Sequence, residues 1–423
     1  MTMPPRSQVA ADNLPRVVIT GIGLWTPLGS GRELTWQSLI AGRSASRWLT
    51  VPQWTGTSPV AGAACEIPPA TINDDVDPVI AMARQVSIEA IADAGLGSHV
   101  LAQDSTGVVF GTSKGGLHTA SRLLAAPSDA NGNAGSWLDV WPNSAAVGVA
   151  RDIGCLGPVL APVAACATGL AACLRGYELI RDGRCQVVVA GSSDASLQPA
   201  ILGSFQRLGV LAKPKDDPAT ACRPFDRDRM GFVVGEGAGC LILESYEHAK
   251  ARGARWYAEW LGGRMLSDPS SLTQLDPHGT SLRRLLRDVA GLANRPPDYI
   301  NLHGTATRPN DSVESSAVAS ILGSTARETS CSSLKGGLGH LLGAAGSVEL
   351  AATLLAIRDQ IVPPTVNLFS VDPELAAGIN FTPREPQQRQ IDLAWKLSLG
   401  FGGHLSAACV GRLPGDEDRT KSL

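Results

Sequence analysis

The sequence predicts an α/β protein made of two successive, similar halves. Short apolar runs of strand length alternate with longer segments whose apolar residues recur at helical spacing. The chain has 46 glycines, and aromatic residues make up only 5% of its 423 residues, a composition that suits helices packed flat on sheets. The alternation of strands and helices starts again after a connection at residues 262–275, which indicates a duplicated α/β unit.

The first half is organised around residues 159–194. A run of small and apolar residues leads to Cys166, and the apolar residues from Leu170 to Arg181 recur at helical spacing. Gly183 ends this predicted helix, and a second buried strand follows at 186–190. The other elements that we predict in this half are strands at 16–20, 107–111 and, as a pair, within 231–244, and helices at 35–41, 78–94 and 143–153.

The second half repeats this pattern and ends in two strands. Its predicted elements are strands at 256–262, 299–302, 328–332, 397–403 and 406–410, and helices at 281–293, 311–322 and 341–357. We place the halves at 16–262 and 263–412. The ends, 1–15 and 413–423, are predicted to be disordered tails, because they are polar and contain proline.

Composition argues against several classes of function. The net charge is −3 and no basic block or aromatic-basic platform is present, which argues against a nucleic-acid partner. The N-terminus lacks the apolar stretch of a signal peptide, and the apolar segment 341–357 is interrupted by Glu349 and shorter than the ~20 residues that span a bilayer. The nine cysteines are odd in number and form no CxxC pair, which argues against disulfides and a zinc site. We therefore predict a cytoplasmic protein without metal or membrane segment.

The glycine-rich segments do not favour a nucleotide cofactor. After the first strand, residues 26–28 stand where a dinucleotide-binding fingerprint needs a helix to open. Residues 235–239 lie between two predicted strands, where glycines permit close backbone packing.

Cys166 lies where a predicted strand ends and a helix begins. The positive end of a helix and its free amides stabilise a thiolate and lower the thiol pKa, and the same amides can hold an oxyanion. The alternative is an inert buried cysteine, which is our interpretation of Cys173 and Cys185. Pro162 precedes Cys166 and cannot donate to a sheet ladder, so it indicates a bulge or a sheet edge.

Further polar residues follow predicted strands in the second half, where open α/β sheets place their sites. They are His303, Thr305, Thr307, Glu314, Lys335 and His340. Taken singly, each has a structural explanation as a surface, loop or satisfied core residue. Taken together with a cysteine nucleophile, two neutral imidazoles can stabilise an enolate or help a carboxylate leave as carbon dioxide. A lysine–glutamate pair can orient one histidine, and threonine hydroxyls suit a substrate amide or carboxylate.

In these segments the chain resembles the β-ketoacyl synthases of the thiolase-fold condensing-enzyme group. It is most similar to the elongating synthases of bacterial fatty-acid and type II polyketide synthesis, and the resemblance runs from Arg16 to Arg412. The motifs that carry it are ACATG at 165–169, PFD at 224–226, GEGAG at 235–239, HGTAT at 303–307, ND at 310–311 with Glu314, Lys335 with GH at 339–340, and GFGG at 400–403.

The resemblance implies a layered α-β-α-β-α sandwich and a decarboxylative Claisen condensation that gives a 3-oxoacyl product. Substrates would arrive on the phosphopantetheine of an acyl carrier protein, with no free cofactor. The partner subunit would be a second copy, in a homodimer, or a ketosynthase-like chain, in a heterodimer. Cys166 would take the acyl group, and its amide and that of Phe401 would form an oxyanion hole.

The resemblance also assigns roles to the other motif residues. His303 and His340 would bind the malonyl thioester and promote its decarboxylation. Lys335 would pair with Glu314 and organise the loop of His340, while Phe401 would gate between the two half-reactions.

The chain departs from the family pattern at several positions. Leucines stand at 397 and 405 where asparagines are usual, so the hydrogen bonds around Phe401 are expected to differ. Lys114 replaces an apolar residue that borders the acyl pocket in the family, which indicates a short, polar or unsaturated acyl group and a specialised pathway. Acidic residues replace the usual basic ones before the helix at 78, so carrier docking would use other groups. The acidic residues are Asp74, Asp75 and Asp77, and the alternative basic groups are Lys213 and Lys215.

Three alternatives remain at the sequence level. The first is a non-catalytic, chain-length-factor-like subunit of a heterodimer, although such subunits typically lack the nucleophile. The second is a thiolase, for which Cys409 is the candidate base. The third is a decarboxylase that binds a carrier protein and needs the histidines but not the thiol.

Overall fold

The computed structural model describes residues 14–52, 54, 59–66, 76–125, 136–214 and 216–413. The predicted tails lie outside these ranges except for residues 14, 15 and 413, and Asp74, Asp75 and Lys215 also lie outside them. The strands of the described residues are β1 (Val17–Thr26), β2 (Gly29–Ser30), β3 (Arg47–Leu49), β4 (Val60–Ala63), β5 (Thr106–Thr112), β6 (Val159–Leu160), β7 (Val187–Asp194), β8 (Val234–Gly235), β9 (Gly237–Ser245), β10 (Ala258–Ser267), β11 (Tyr299–Asn301), β12 (Ser330–Ser332), β13 (Ile361–Val362), β14 (Gln387–Gln388), β15 (Leu393–Gly400) and β16 (His404–Gly411).

The helices complete the alternation that the sequence predicts. Those of the described residues are α1 (Arg32–Ile40), α2 (Pro78–Ala94), α3 (Ser98–Leu101), α4 (Leu117–Ala125), α5 (Ser144–Ile153), α6 (Thr168–Arg181), α7 (Pro199–Leu208), α8 (Tyr246–Ala251), α9 (Thr280–Ala290), α10 (Arg308–Leu322), α11 (Lys335–Leu338) and α12 (Ala345–Asp359). None of them is long and apolar enough to cross a membrane.

The order of the strands shows the duplication. The main sheet runs β12-β11-β15-β16-β10-β1-β9-β7-β5-β6, with β2 paired to β1. Counted along the chain, the five strands of each half are arranged 3-2-4-5-1 from the outer edge to the middle. The two innermost strands, β1 and β10, pair antiparallel, with Val17 opposite Trp260. The duplicated α/β architecture is therefore confirmed. The boundary at residue 262 falls inside β10, and the division into halves at that residue stays a prediction.

Helices form three layers around the two halves of the sheet. The outer helices α2 and α5 cover the first half and α9 and α10 cover the second, while α6 and α12 pack against each other between them. Every residue of α12 from Ala345 to Ile357 is buried. A side chain at Gly346 would place its Cβ 2.2 Å from the amide nitrogen of Leu170, so glycine is what allows this close approach. The result is the expected α-β-α-β-α sandwich.

Several boundaries differ from the prediction near the site. The strand before Cys166 ends at Leu160 on the sheet edge, and Pro162 follows it, because proline cannot donate to a ladder. The helix predicted to start at 341 starts at Ala345, after one turn of 3₁₀ helix at Leu342–Ala344. Residues 203–208, left unassigned by the sequence, belong to α7.

Candidate active site

Cys166 sits in a tight turn at the start of α6. One turn of 3₁₀ helix, Ala165–Ala167, connects to α6, and Ala165 adopts a left-handed backbone with φ of 47°. Thr168 locks the turn, because its hydroxyl donates to the carbonyl oxygen of Ala165 at 2.7 Å and accepts the N–H of Ala164 at 2.8 Å. The strained turn holds the cysteine at the helix N-terminus, as the sequence predicts.

The environment of Cys166 corrects one expectation. Burial raises the pKa of the thiol to about 11, although the positive charges of Lys114 and Lys335 and a hydrogen bond from the N–H of Phe401 favour the thiolate. The prediction of a lowered pKa was wrong, because the desolvation of the sulfur outweighs the charges that face it. Cys166 is therefore a buried, protonated thiol at neutral pH.

His303 follows β11 and is fixed by its backbone. Glu314, on α10, accepts the N–H of His303 at 2.6 Å and the N–H of Gly304 at 2.8 Å. Burial raises the pKa of this carboxyl to about 7 against the lowering effect of those two N–H groups. The ring of His303 is buried, and its Nδ1 has no hydrogen-bond partner among the described residues. The position of this imidazole is thus set by contacts to its backbone rather than to its ring.

The ring of His340 is held through its Nδ1 atom. Its Nδ1 accepts the N–H of Leu342 at 3.2 Å, which leaves Nε2 to carry the proton of a neutral ring. The ring packs edge-on against Phe232 at a centroid distance of 5.0 Å and against His303 at 5.5 Å.

Both imidazoles are neutral near pH 7. Burial lowers the pKa of His303 and of His340 well below the usual value, and the positive charges of Lys335 and Lys396 lower both further. A neutral imidazole is the form that donates one N–H and accepts at the other nitrogen. The two rings can therefore donate to a developing oxyanion without taking part as cations.

The expected pairing of Lys335 with Glu314 is wrong. The Lys335 amine lies 2.6 Å from Oε1 of Glu349, on α12, and Glu314 instead holds the backbone of His303. The second oxygen of Glu349 lies 2.6 Å from the amine of Lys396. Sequence reasoning did not identify Glu349 and Lys396 as site residues. A signal was available for both residues, because Glu349 lies in an otherwise apolar part of a helix and Lys396 lies in an apolar strand. A buried charge needs a partner, so each residue indicates an ion pair.

Cys166, His303 and His340 line one pocket of about 420 Å³. Its other lining residues that the sequence predicts are Thr305, Thr307 and Phe401. The two threonine hydroxyls lie 2.8 Å apart. The ring of Phe401 packs against Phe205 at a centroid distance of 6.4 Å.

Lys114 is held by a group of polar side chains. Its amine is bonded to the hydroxyls of Ser113 at 2.5 Å and Ser196 at 3.1 Å, and it lies 3.7 Å from Asp194. Asp194 also accepts the N–H of Gly343 at 3.0 Å, in the segment after His340. Lys114, like Lys335 and Glu314, thus stands outside the walls described for the pocket.

Backbone contacts hold the loop of Phe401. The N–H of Gly402 donates to Leu272 at 2.8 Å, and the N–H of Asp268 donates to Gly403 at 2.8 Å. Leu397 and Leu405, which replace asparagines of the family pattern, are fully buried in the apolar core. The loop is tied to residues 268–272 by main-chain bonds rather than by side chains at 397 and 405.

Other predicted residues have structural roles. Asp77 is buried and caps α2, because its carboxylate accepts the N–H of Val79 at 3.1 Å and of Thr119 at 2.8 Å. It is not part of an acidic surface before that helix. Cys409 is buried within β16 and does not join the pocket of Cys166. All nine cysteines are free. Across the described ranges, no group of three or more His, Cys, Asp or Glu side chains is placed to hold a metal ion.

Comparisons with known proteins agree with this geometry. The family profile for the N-terminal domain of β-ketoacyl synthases matches residues 15–249, and the profile for the C-terminal domain matches residues 257–369. The chain is 37% identical to the tetracenomycin polyketide synthase ketoacyl synthase alpha subunit of Streptomyces glaucescens, over 94% of this chain and 97% of that protein.

A second relative and a solved structure extend the agreement. The chain is 37% identical to 3-oxoacyl-[acyl-carrier-protein] synthase 2 of Rhizobium meliloti (strain 1021), over 95% of this chain and 99% of that protein. A solved type II polyketide synthase acyl-carrier protein in complex with its ketosynthase bound to the hexaketide matches with a TM-score of 0.87 and 30% identity, covering 95% of this chain and all of that one. The chain therefore belongs to the β-ketoacyl synthase family.

Proposed function

We propose that this protein is a 3-oxoacyl-[acyl carrier protein] synthase, which condenses an acyl group on Cys166 with a malonyl group by decarboxylation. The observation that carries the proposal is one pocket into which a cysteine sulfur and two neutral imidazoles open together. A hydrogen bond from the N–H of Phe401 reaches that sulfur, so this donor lies beside the position where a carbonyl bonded to the sulfur would develop its oxyanion.

The first half-reaction transfers the acyl group. The sulfur of Cys166 bonds to the carbonyl carbon of an acyl thioester, and the bond between that carbon and the carrier's sulfur breaks. The thiol proton passes to the departing carrier thiolate. The N–H groups of Cys166 and Phe401 stabilise the oxyanion that forms in between, which compensates for a buried thiol that is mostly protonated.

The second half-reaction forms the new carbon–carbon bond. The bond from the malonyl carboxylate to its neighbouring carbon breaks, carbon dioxide leaves, and the electron pair stays on an enolate. His303 and His340 donate hydrogen bonds to the enolate oxygen. The enolate carbon attacks the acyl carbonyl on Cys166, and the cysteine leaves as a thiolate that takes a proton from solvent.

Supporting residues bind and position the substrate. Thr305 and Thr307 are suited to the amide or carboxylate of the incoming arm, because their hydroxyls line the pocket beside His303. The ring of Phe401 gates between the two half-reactions. Lys335 and Glu314 do not line the pocket and act through other groups. Lys335 acts through its ion pair with Glu349, and Glu314 acts through its hydrogen bond with the backbone of His303.

Lys114 selects the acyl group in this proposal. After burial, its charge has the largest influence on the pKa of Cys166, which indicates that it lies near the sulfur. A half-buried ammonium disfavours a long saturated chain, because the chain would remove water from the charge without replacing its hydrogen bonds. Short, polar or unsaturated acyl groups are therefore the expected primers, in a specialised fatty-acid or polyketide pathway.

The proposal includes the partners and the compartment. Substrates arrive on the phosphopantetheine arm of an acyl carrier protein, and the subunit pairs with a second copy or with a ketosynthase-like chain. Lys213 is an exposed cation available for carrier docking. We place the reaction in the cytoplasm, where thiols such as the nine free cysteines stay reduced.

Intact mass spectrometry tests the proposal directly. The protein is incubated with a panel of acyl carrier-protein thioesters, beside Cys166→Ala. An acyl adduct on the native protein, absent from the variant and discharged by malonyl carrier protein as a 3-oxoacyl product, is the expected result. No transfer from any primer, alone or with a partner subunit, would overturn it in favour of a non-catalytic subunit. Carbon dioxide release that persists in Cys166→Ala without any adduct on the native protein would favour a decarboxylase.

A further inference from the structure

Lys396 is a charged residue in a fully buried strand. All eight residues of β15, Leu393–Gly400, are buried, and Lys396 has 0% of its surface exposed. Lysine is almost never fully buried unless its charge is paired. Its amine lies 2.6 Å from Oε2 of Glu349 and also donates to the carbonyl oxygen of Leu397.

Glu349 is shared between two lysines. Its other oxygen, Oε1, lies 2.6 Å from the amine of Lys335, which is also fully buried. One carboxylate between two ammonium groups leaves a net positive charge inside the protein. Buried ion pairs of this kind contribute little to stability, because the loss of hydration offsets the attraction, and apolar residues of similar size often serve better. Stability alone therefore does not explain Lys396.

The three segments that meet at Glu349 lead to different parts of the site. Strand β15 carries Lys396 and ends at Gly400, directly before Phe401. Lys335 begins α11, and that helix is followed by Gly339 and His340. Glu349 lies in α12, which begins after the turn that follows His340. The shared carboxylate thus joins the strand behind the Phe401 N–H to the segment that holds His340.

We propose that Lys396 is a positioning residue for the condensation, which acts by sharing Glu349 with Lys335 and so fixes the Phe401 N–H relative to His340. The inference rests on the roles of Phe401 and His340 in the proposed function. It concerns a residue that is not among the pocket-lining residues and that belongs to none of the motifs.

The charge of Lys396 has a separate effect on the two imidazoles. The groups that face it are Glu349 on α12, Lys335 on α11 and Glu314 on α10, together with the two histidines. Its positive charge lowers the pKa of both His303 and His340, in addition to burial and Lys335. Removing this charge raises both histidine pKa values, so the acidic limb of the rate profile moves to higher pH.

Two substitutions separate the contact between Lys396 and Glu349 from the positive charge of Lys396. Lys396→Met removes both, while Glu349 stays neutralised by Lys335, so the variant keeps no unpaired buried carboxylate. Lys396→Gln keeps an N–H donor, one bond shorter than the lysine amine, and carries no charge. Trp395→Phe is the control, because Trp395 is the adjacent buried residue of β15 and packs in the second-half core.

The experiment measures acyl transfer to Cys166 and carbon dioxide release from malonyl carrier protein, each across pH. We expect Lys396→Met to slow both steps by about 10- to 100-fold at unchanged KM, as small displacements of reacting groups do. Lys396→Gln restores part of both rates, because its shorter donor remains on the side of Glu349, but shares with Lys396→Met an acidic limb at higher pH. Trp395→Phe alters thermal stability without moving that limb.

Each of the other outcomes would overturn a specific part of the proposal. Wild-type rates and an unmoved limb in Lys396→Met would overturn the role of Lys396 alone. Equal losses in Lys396→Met and Trp395→Phe, with the limb unmoved in both, would reduce Lys396 to a packing residue. Absence of acyl transfer and carbon dioxide release in the native protein overturns the proposed function, and the positioning role falls with it.

Discussion

The imidazole rings of His303 and His340 meet edge to face, with centroids 5.5 Å apart and planes at 79°. Each ring comes from a different loop, one after β11 and one after α11. The backbone of His303 is held by Glu314, and Nδ1 of His340 is held by the N–H of Leu342. Two independent supports thus bring two neutral donors to one side of a pocket that also holds Cys166.

Removing either imidazole should separate the two half-reactions. In His303→Ala and His340→Ala we expect carbon dioxide release from malonyl carrier protein to fall by about 10²- to 10⁴-fold. Acyl transfer to Cys166 should continue, because the oxyanion donors that we propose for that step are the N–H groups of Cys166 and Phe401. Stopped-flow carbon dioxide release and intact mass measure the two steps. Equal loss of both steps in either variant contradicts the assignment.

The rate of carbon dioxide release should stay flat as the pH falls through the ordinary range of histidine. Burial lowers the pKa of both imidazoles well below the usual value of about 6.5. The neutral rings are the form that the proposal requires, so protonation of the rings lowers the rate only when the pH falls through their lowered pKa values. Single-turnover rates from pH 5 upward test this, with circular dichroism to follow unfolding. A midpoint at or above about 6.5 would show that the rings are not desolvated as described.

Cys166 should react slowly with alkylating agents at neutral pH. Burial raises the pKa of its thiol to about 11, so the rate of iodoacetamide labelling should rise with pH well beyond the range of an ordinary thiol. Lys114→Met should slow labelling further, since the lost positive charge favoured the thiolate. Lys250→Met, on α8, is a control at another surface. Peptide mapping measures the labelling rate at Cys166. Labelling at neutral pH that is as fast as that of a free thiol would contradict the prediction.

Gly400 should not tolerate a side chain. A Cβ there would lie 2.6 Å from the carbonyl oxygen of Ala164 and 3.1 Å from the amide nitrogen of Ala167, against the turn that holds Cys166. Gly400→Ala is expected to cost about 1–3 kcal/mol in the free energy of unfolding and to slow acyl transfer.

The matched control for this substitution is Gly203, in α7. A Cβ at Gly203 meets nothing within 4 Å, so Gly203→Ala should leave stability unchanged or raise it by up to about 1 kcal/mol. Urea unfolding and intact-mass acylation measure both variants. Equal behaviour of the two alanine variants would argue against the close packing described at Gly400.

Much of the fold could be predicted because the spacing of apolar residues within each segment indicates a helix or a strand. The helix at 78–94 was predicted with the same bounds, and the strand-turn-helix around Cys166 was placed within a few residues. The sheet edge that Pro162 indicates is present, since β6 is an edge strand. An error remained at the start of α12, because short 3₁₀ turns follow close packing rather than periodicity.

The ionic contacts of the site could not be predicted in the same way. Glu314 and Glu349 are both buried glutamates on helices of the second half, and nothing local distinguishes which one faces Lys335. The structure gives Lys335 to Glu349 and leaves Glu314 to hold the backbone of His303. The same contacts bring in Lys396, which sequence reasoning did not single out.

The sequence by itself determined the α/β class, the duplicated order of elements and the motifs that carry Cys166, His303 and His340. Spacing and residue type suffice for these, because they express the geometry of single strands, helices and turns. The tertiary structure alone decided that the thiol is a weak acid, that the imidazoles are neutral and that two lysines share one carboxylate. These depend on desolvation and on charges brought together from distant segments, and neither quantity exists until the layers of the sandwich are packed.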